Sequence, residues 1–283
     1  MDLSIQWPLV AFSLLAGSAG ALAAFASFAE LTGKALQARF AALLCALALI
    51  VVGGCASIVH LASPQNVMAA ATNLFSFSGI SIELIMLGLA FVVAAVYAAL
   101  VKRDASPVAR KVLAGATLVC GLGLAFVCGH GYVIEARPFW NTELLPIAYL
   151  GSVLPVGAFG YLLVGSILKI DVDELLALRS AVAVCAAASI ASMLAYVAFV
   201  GFDVAGRNPM ALYGGIAACG VAVVAVCTVL LRRRNTPGSL LALAAVGTAT
   251  ALVAACALRV LMWVASDAFA NLFGLAASMG VLG

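Results

Sequence analysis

Eight long apolar runs make up almost the whole chain, and short polar segments separate them. The runs cover residues 7–29, 40–62, 80–101, 110–132, 143–168, 177–201, 210–231 and 238–265. Each run is longer than the roughly 20 residues that an α-helix needs to cross about 30 Å of hydrocarbon. The pattern therefore predicts an all-α, polytopic membrane protein with eight transmembrane helices, forming one integral membrane domain over residues 1–283.

Composition supports the same class of protein. The chain is 66% hydrophobic and 9% charged, and its mean hydropathy is +1.24. A soluble domain needs more polar surface than this, and a membrane β-barrel would show short segments of alternating polarity. We therefore expect a multi-pass protein of the inner (cytoplasmic) membrane. Because no soluble domain fits between the runs, chemistry on a water-soluble substrate is expected in another subunit.

Basic residues indicate which way the helices cross. Eleven of the 14 Lys and Arg residues lie in the loops that follow odd-numbered runs. The loops on the other side hold only Arg137 and Arg207, and Arg259 lies within the last run. Positively charged loops stay in the cytoplasm. The distribution predicts that both termini lie on the external side.

This orientation brings the notable polar residues to one membrane face. His60 ends the second run, Glu83 lies one turn into the third, Tyr132 ends the fourth, and Arg259 lies in the outer third of the eighth. An ionised side chain in hydrocarbon is costly, so such residues commonly pair with one another or serve a function. The simplest hypothesis is an external site in which Arg259 pairs with Glu83.

Metal and haem chemistry have little support in the sequence. All eight cysteines lie in apolar runs without a Cys-x-x-Cys pair, which favours small core residues over disulfides or metal ligands. His60 and His130 are the two histidines, and they could hold one bis-histidine haem. A two-haem cytochrome would need four axial ligands. We therefore expect no metal and no haem in this chain.

Several short motifs resemble one known family. They are His60-Leu61-x-Ser63-Pro64, the asparagines Asn66 and Asn73, Ser81-Ile82-Glu83, and more weakly Tyr132, Arg137, Trp140 and Arg259. Over its whole length the chain resembles the DmsC-type membrane anchors of dimethyl-sulfoxide reductases. These belong to the molybdopterin-oxidoreductase anchors and are distantly related to the NrfD-type anchors.

The resemblance implies an anchor subunit that binds and oxidises menaquinol. Electrons would pass to an external iron–sulfur subunit and then to a molybdopterin catalytic subunit. The quinol-site histidine and glutamate of the family correspond to His60 and Glu83. The chain departs from the family pattern at Ala62, where glycine is usual, and at Ile82, where a polar residue is usual.

The remaining candidate residues divide into two groups. Arg259 and Tyr132 complete the predicted quinol-binding set with His60 and Glu83. We expect the uncharged loop after the second run and the aromatic loop after the fourth to contact the partner subunits, through Ser63, Pro64, Asn66, Asn73, Arg137 and Trp140. Two alternatives stay open: a proton-coupled secondary transporter that uses the same acid and arginine, and a haem b-bearing quinol anchor.

Overall fold

The computed structural model describes the backbone of residues 5–59, 78–232 and 235–278, and the side chains of all of these except 59 and 267–278. Within these ranges the chain is helical and has no strand. Eight helices are long and apolar enough to cross a membrane. They are α1 (Trp7–Thr32), α2 (Arg39–Val59), α3 (Gly79–Lys102), α4 (Pro107–His130), α5 (Leu144–Ile167), α6 (Arg179–Val200), α7 (Met210–Arg232) and α8 (Pro237–Ser278). The all-α class and the eight spans are confirmed.

Helix ends follow the local sequence. Ser106 caps α4 by accepting a hydrogen bond from the Ala109 N–H at 3.4 Å, and Pro107 takes the first position of the helix, where its missing N–H costs nothing. Gly33 ends α1 in the left-handed conformation with φ 71°, which glycine adopts without strain. The eighth run was predicted to end at residue 265, but α8 continues to Ser278.

Short helices occupy three of the loops, and one span has an irregular start. A 3₁₀ turn covers Leu36–Ala38, and single-turn helices cover Val172–Leu176 and Phe202–Ala205. The first nine residues of α7, Met210–Ala218, form a π-helix before the regular α-helix begins at Cys219. Apolar periodicity cannot distinguish these local geometries, so the sequence predicted a plain helix there.

The main helix contacts repeat after four helices. Helix α1 packs against α2 and α4, and α3 completes this ring by packing against the same two helices. In the second half, α5 packs against α6 and α8, and α7 completes the ring. The halves meet through α1–α5, α4–α5 and α1–α8 contacts, and α1 and α5 are the most buried spans. The fold is thus two side-by-side four-helix bundles in the same orientation.

Glycines permit the closest contacts between helices. A methyl group on Gly20 of α1 would lie 2.3 Å from the Gly121 carbonyl oxygen of α4, and one on Gly121 would meet Gly20 equally closely. Gly157 of α5 approaches the backbone of Ala21 in the same way. Small residues let membrane helices approach until their backbones touch. These contacts fix α1 between α4 and α5.

The bundle has two chemically different ends. The site face is the end at which α1, α3, α5 and α7 begin, and the basic face is the end at which they finish. At the basic face, the buried carboxylate of Glu30 contacts Arg39 at 2.5 Å, Arg110 at 3.4 Å and the Tyr97 hydroxyl at 3.2 Å. This buried ion cluster joins α1 to α4 and was not foreseen, because Glu30 lies just beyond the predicted first span.

The cysteines differ from one another in environment. All eight are free thiols. Cys128 and Cys227 are buried as expected, but Cys45 and Cys55 are exposed on the outer surface of α2. The prediction that all of them are core residues is therefore wrong for these two, because hydrophobic runs in a membrane protein face lipid as well as the core.

Candidate functional site

Glu83 lies one turn inside α3, near the site face. The helix begins at Gly79, and the hydroxyl of its N-cap residue Ser78 accepts a hydrogen bond from the Ser81 N–H at 3.3 Å. This cap fixes the first turn, and Glu83 follows it as a half-buried side chain. The acid is therefore held at the depth that the sequence predicted.

Gly131 provides the surface against which the Glu83 carboxylate rests. A methyl group on Gly131 would lie 2.5 Å from Glu83 Oε1. Gly79 also faces Gly131, so the start of α3 and the end of α4 touch through two glycines. The absence of side chains at both positions gives the carboxylate its place between the two helices.

Tyr132 follows Gly131 directly in the chain and is near enough to Glu83 for this residue to affect its pKa. Burial raises the pKa of the Tyr132 phenol, the nearby Tyr149 and Glu83 add to the rise, and Arg259 opposes it. The phenol therefore stays protonated and can donate a hydrogen bond. Glu83 and Tyr132, which were predicted as members of one site, are brought together by the fold.

Four aromatic rings form a cluster behind this pair. The ring centre of Tyr132 is 5.6 Å from that of Trp140, 5.8 Å from Tyr149 and 6.2 Å from Trp263, and the two tryptophans are 4.9 Å apart. Tyr149, Trp140 and Trp263 are buried. The edge-to-face geometry of the tryptophan pair is favourable for aromatic rings. Tyr149 and Trp263 were not predicted, because an aromatic residue in an apolar run looks like any other core residue.

Arg137 and Trp140 attach the loop between α4 and α5 to the turn of α8 that contains Met262 and Ser266. The Trp140 indole donates to the Met262 carbonyl at 3.0 Å, and Arg137 donates to the Ser266 hydroxyl at 3.1 Å. The Arg137 guanidinium also lies 4.0 Å from the centre of the Trp140 ring. Because Trp140 is only 4% exposed, its contacts within this chain are packing and hydrogen bonding in the interior. A role for both residues in docking stays a prediction.

Arg259 is fully buried where the two bundles meet. It donates to the Ser13 hydroxyl at 3.0 Å and carbonyl at 3.1 Å, and to the Ser152 hydroxyl at 3.3 Å. A fourth hydrogen bond reaches the Ala255 carbonyl at 2.8 Å, and the guanidinium lies 4.3 Å from the centre of the Tyr149 ring. The side chain therefore connects α1, α5 and α8.

The predicted ion pair between Arg259 and Glu83 is wrong. Across the described ranges, no acid lies within ion-pair distance of Arg259. The guanidinium points toward α1 and α5, whereas Glu83 points toward the end of α4. Both residues nevertheless shift the pKa of Tyr132, Glu83 upward and Arg259 downward.

His130 and Glu143 form an exposed pair at the edge of the site. His130 is the last residue of α4, directly before Gly131, and its ring stacks on Phe126 at 6.0 Å. Its Nδ1 lies 3.8 Å from a Glu143 carboxylate oxygen, and both side chains are substantially exposed. The sequence singled out His130 only as a haem ligand. The structure instead pairs it with Glu143, one residue along the chain from the Gly131 position that faces Glu83.

The remaining predicted site residues lie outside the described residues. They are His60, Ser63, Pro64, Asn66 and Asn73, together with the departure at Ala62. For the part of the chain that the structure does describe, no group of three or more His, Cys, Asp or Glu residues could hold a metal ion.

A comparison with protein-family models decides the family. The model described as the DMSO reductase anchor subunit, DmsC, matches residues 1–262 of the 283. The chain belongs to the DmsC family. None of the curated proteins compared with it matches.

Membership explains the architecture of the chain. A DmsC-family protein is a membrane anchor subunit of a DMSO reductase, and eight membrane-spanning helices with minimal loops suit that task. The match covers Glu83, Tyr132, Trp140, Tyr149 and Arg259, and it ends at residue 262, one residue before Trp263 of the aromatic cluster. Glu83, Gly131, Tyr132 and Arg259 therefore all lie in the part of the chain that matches the family.

Proposed function

We propose that this DmsC-family anchor binds menaquinol at the site face and oxidises it there. The observation that carries the proposal is the position of the Glu83 carboxylate, held in an apolar helix against Gly131 and beside Tyr132. A quinol is a large apolar ligand with a hydroxyl at each end. It needs a pocket open to lipid and a proton acceptor within hydrogen-bond reach.

Each group then has a defined part in the reaction. The Glu83 carboxylate accepts the proton of one quinol hydroxyl, and His60, by its resemblance to the family histidine, accepts the other. Two electrons leave as the quinol becomes quinone, so that two protons and two electrons are released together. The protonated Tyr132 phenol donates a hydrogen bond to the quinol oxygen that becomes negative as its proton departs.

Arg259 assists without touching the substrate. It is buried, and across the described residues no acid neutralises its charge. Its positive charge lowers the pKa of the Tyr132 phenol, against the larger rise that burial causes. A fixed positive charge stabilises the anionic intermediate that forms when a quinol loses its first proton.

Protons leave through the exposed edge of the site. His130 directly precedes Gly131, where the Glu83 carboxylate rests, and Glu143 is 3.8 Å from the His130 ring. Both side chains are substantially exposed to solvent. We assign this pair as the route by which protons reach the external solution.

Electrons leave toward partner subunits on the same face. The proposal places an iron–sulfur subunit against the loops of the site face and a molybdopterin catalytic subunit beyond it, with the anchor in the cytoplasmic membrane and its site face external. Exposed Ile134 and Glu135 on the aromatic loop are available for this contact. The loop that carries Ser63, Pro64, Asn66 and Asn73 is the other predicted contact.

Purification in mild detergent tests the anchor role. The full chain should copurify with two polypeptides that carry molybdenum and iron, measured by elemental analysis, and the complex should oxidise a menaquinol analogue. A chain that purifies alone and moves protons across vesicles without an electron acceptor would instead be a transporter. A haem absorption spectrum in the isolated chain would favour the haem-bearing alternative.

A further inference from the structure

A cleft opens at the basic face between the end of α5 and the start of α8. Its volume is about 680 Å³, and apolar side chains that include Ile167, Leu240 and Leu241 form most of its wall. Polar groups lie at its rim, namely Ser166, Lys169 and Asp171. Because α5 ends at Ile167 and α8 begins at Pro237, the cleft lies at the boundary between hydrocarbon and water.

In the first four-helix bundle, an ion cluster occupies the position that corresponds to this cleft. In the first half, Arg110 lies three residues after Pro107, the first residue of α4, and reaches the buried Glu30 near the end of α1. In the second half, Leu240 lies three residues after Pro237, the first residue of α8, and faces the cleft near the end of α5. The ion cluster that closes the first bundle is thus replaced by an apolar wall and an open space.

One hydroxyl without a hydrogen-bond partner and two exposed charges border this space. The Ser166 hydroxyl is shielded from solvent and has no hydrogen-bond partner in the described parts of the chain. Lys169 is exposed and held in the left-handed conformation with φ 57°, and Asp171 is exposed two residues later. Neither charge forms an ion pair with another described residue. The rim therefore offers one positive charge, one negative charge and one hydroxyl.

We propose that this cleft binds one phospholipid with an ethanolamine headgroup. The lipid phosphate lies at Lys169, its ammonium group at Asp171, and the start of an acyl chain runs along Leu240 and Leu241. The Ser166 hydroxyl donates to an ester carbonyl of the lipid. A zwitterionic headgroup matches the paired charges of the rim, whereas the anionic headgroup of phosphatidylglycerol would meet the Asp171 carboxylate. This site is separate from the quinol site at the opposite face.

Native mass spectrometry tests the proposal. The full chain is released from membrane-derived vesicles that contain equal amounts of phosphatidylethanolamine and phosphatidylglycerol. We expect one retained phosphatidylethanolamine per wild-type chain. Leu240→Trp fills the cleft, and Lys169→Gln with Asp171→Asn removes both charges. Each should reduce the retained fraction at least fivefold.

Matched controls lie on the same face. Lys102→Gln and Asp173→Asn change exposed residues that do not line the cleft, and they should retain the lipid as the wild type does. Preferential retention of phosphatidylglycerol, retention of a quinone instead of a phospholipid, or unchanged binding in Leu240→Trp would overturn the proposal. Circular dichroism of each variant shows that the helices are intact.

Discussion

The Glu83 carboxylate occupies the space that a side chain at Gly131 would need. A methyl group added to Gly131 would lie 2.5 Å from Glu83 Oε1, whereas real Cβ atoms essentially never approach another heavy atom closer than 3.0 Å. Any side chain at position 131 must therefore displace the carboxylate. The contact ties the position of the proposed proton acceptor to one glycine at the end of α4.

Gly131→Ala should lower menaquinol-dependent turnover of the complex about 100-fold, because a displacement of about 1 Å can cost that much when a reacting group must be aligned. Steady-state kinetics with a menaquinol analogue measures the effect. Gly115→Ala is the matched control on the same helix, since a methyl group there meets nothing within 4 Å. Wild-type turnover in Gly131→Ala would show that the carboxylate position is unimportant.

Tyr132→Phe should reduce the rate without changing how the rate depends on pH. Burial raises the pKa of the phenol above its usual value, so the group is protonated, and thus uncharged, throughout pH 5 to 9. Removing it eliminates a hydrogen-bond donor but no titration step. We expect turnover to fall roughly tenfold, in keeping with about 1–1.5 kcal/mol for one hydrogen bond. A pH profile that loses a limb in the variant would contradict this assignment.

Sequence patterns predicted how far along each helix the site residues lie better than they predicted which neighbouring helix each side chain faces. Hydropathy and charge counting placed Glu83, Tyr132 and Arg259 near one end of the bundle, and the structure has them there. The prediction of an Arg259–Glu83 ion pair was wrong. When nearly every residue of a run is apolar, the sequence does not show which side of the helix faces which neighbouring helix. Its actual partners, Ser13 and Ser152, look like ordinary small residues in α1 and α5.

The other residues that the sequence did not predict have similar explanations. Tyr149 and Trp263 join the aromatic cluster through packing between distant helices, for which the sequence has no periodic signal. Glu30 lies outside the apolar run, which ends at residue 29, although α1 continues to Thr32. The sequence signal for it is an acid at the end of a run, on the same side of the membrane as Arg39 and Arg110. The repeat of the two four-helix bundles appears in the packing contacts between helices and not in the sequence.

Arg259→Met should preserve stability while impairing turnover. The hydroxyls of Ser13 and Ser152 also donate to carbonyls of their own helices, so removing the guanidinium leaves neither donor without a partner. Replacing a buried charge with an apolar side chain of similar size is often neutral or stabilising. We expect the melting temperature to stay constant or rise, and turnover to fall roughly tenfold. A large fall in melting temperature would show that the charge is structural.

Glu30→Gln should destabilise the protein and leave the quinol site intact. The buried carboxylate contacts Arg39 and Arg110, and removing one member of a buried ion cluster costs about 3 kcal/mol. Unfolding in mixed detergent micelles measures the change in free energy, and the KM for the menaquinol analogue should stay at the wild-type value. Glu174→Gln, an exposed acid at the same face, serves as the control. Equal stability of the two variants would contradict this account.

The most direct test of the quinol site is the effect of Glu83→Gln on two electron donors. In the complete complex, turnover with a menaquinol analogue should fall at least about 100-fold, the contribution expected of a positioned proton acceptor. Turnover with a reduced viologen dye, which supplies electrons directly to the partner subunits, should be unchanged. Asp203→Asn, which changes an exposed acid at the same face, should support both reactions at wild-type rates. If Glu83→Gln oxidises the quinol analogue as fast as the wild type, Glu83 is not the proton acceptor and the proposed site is wrong.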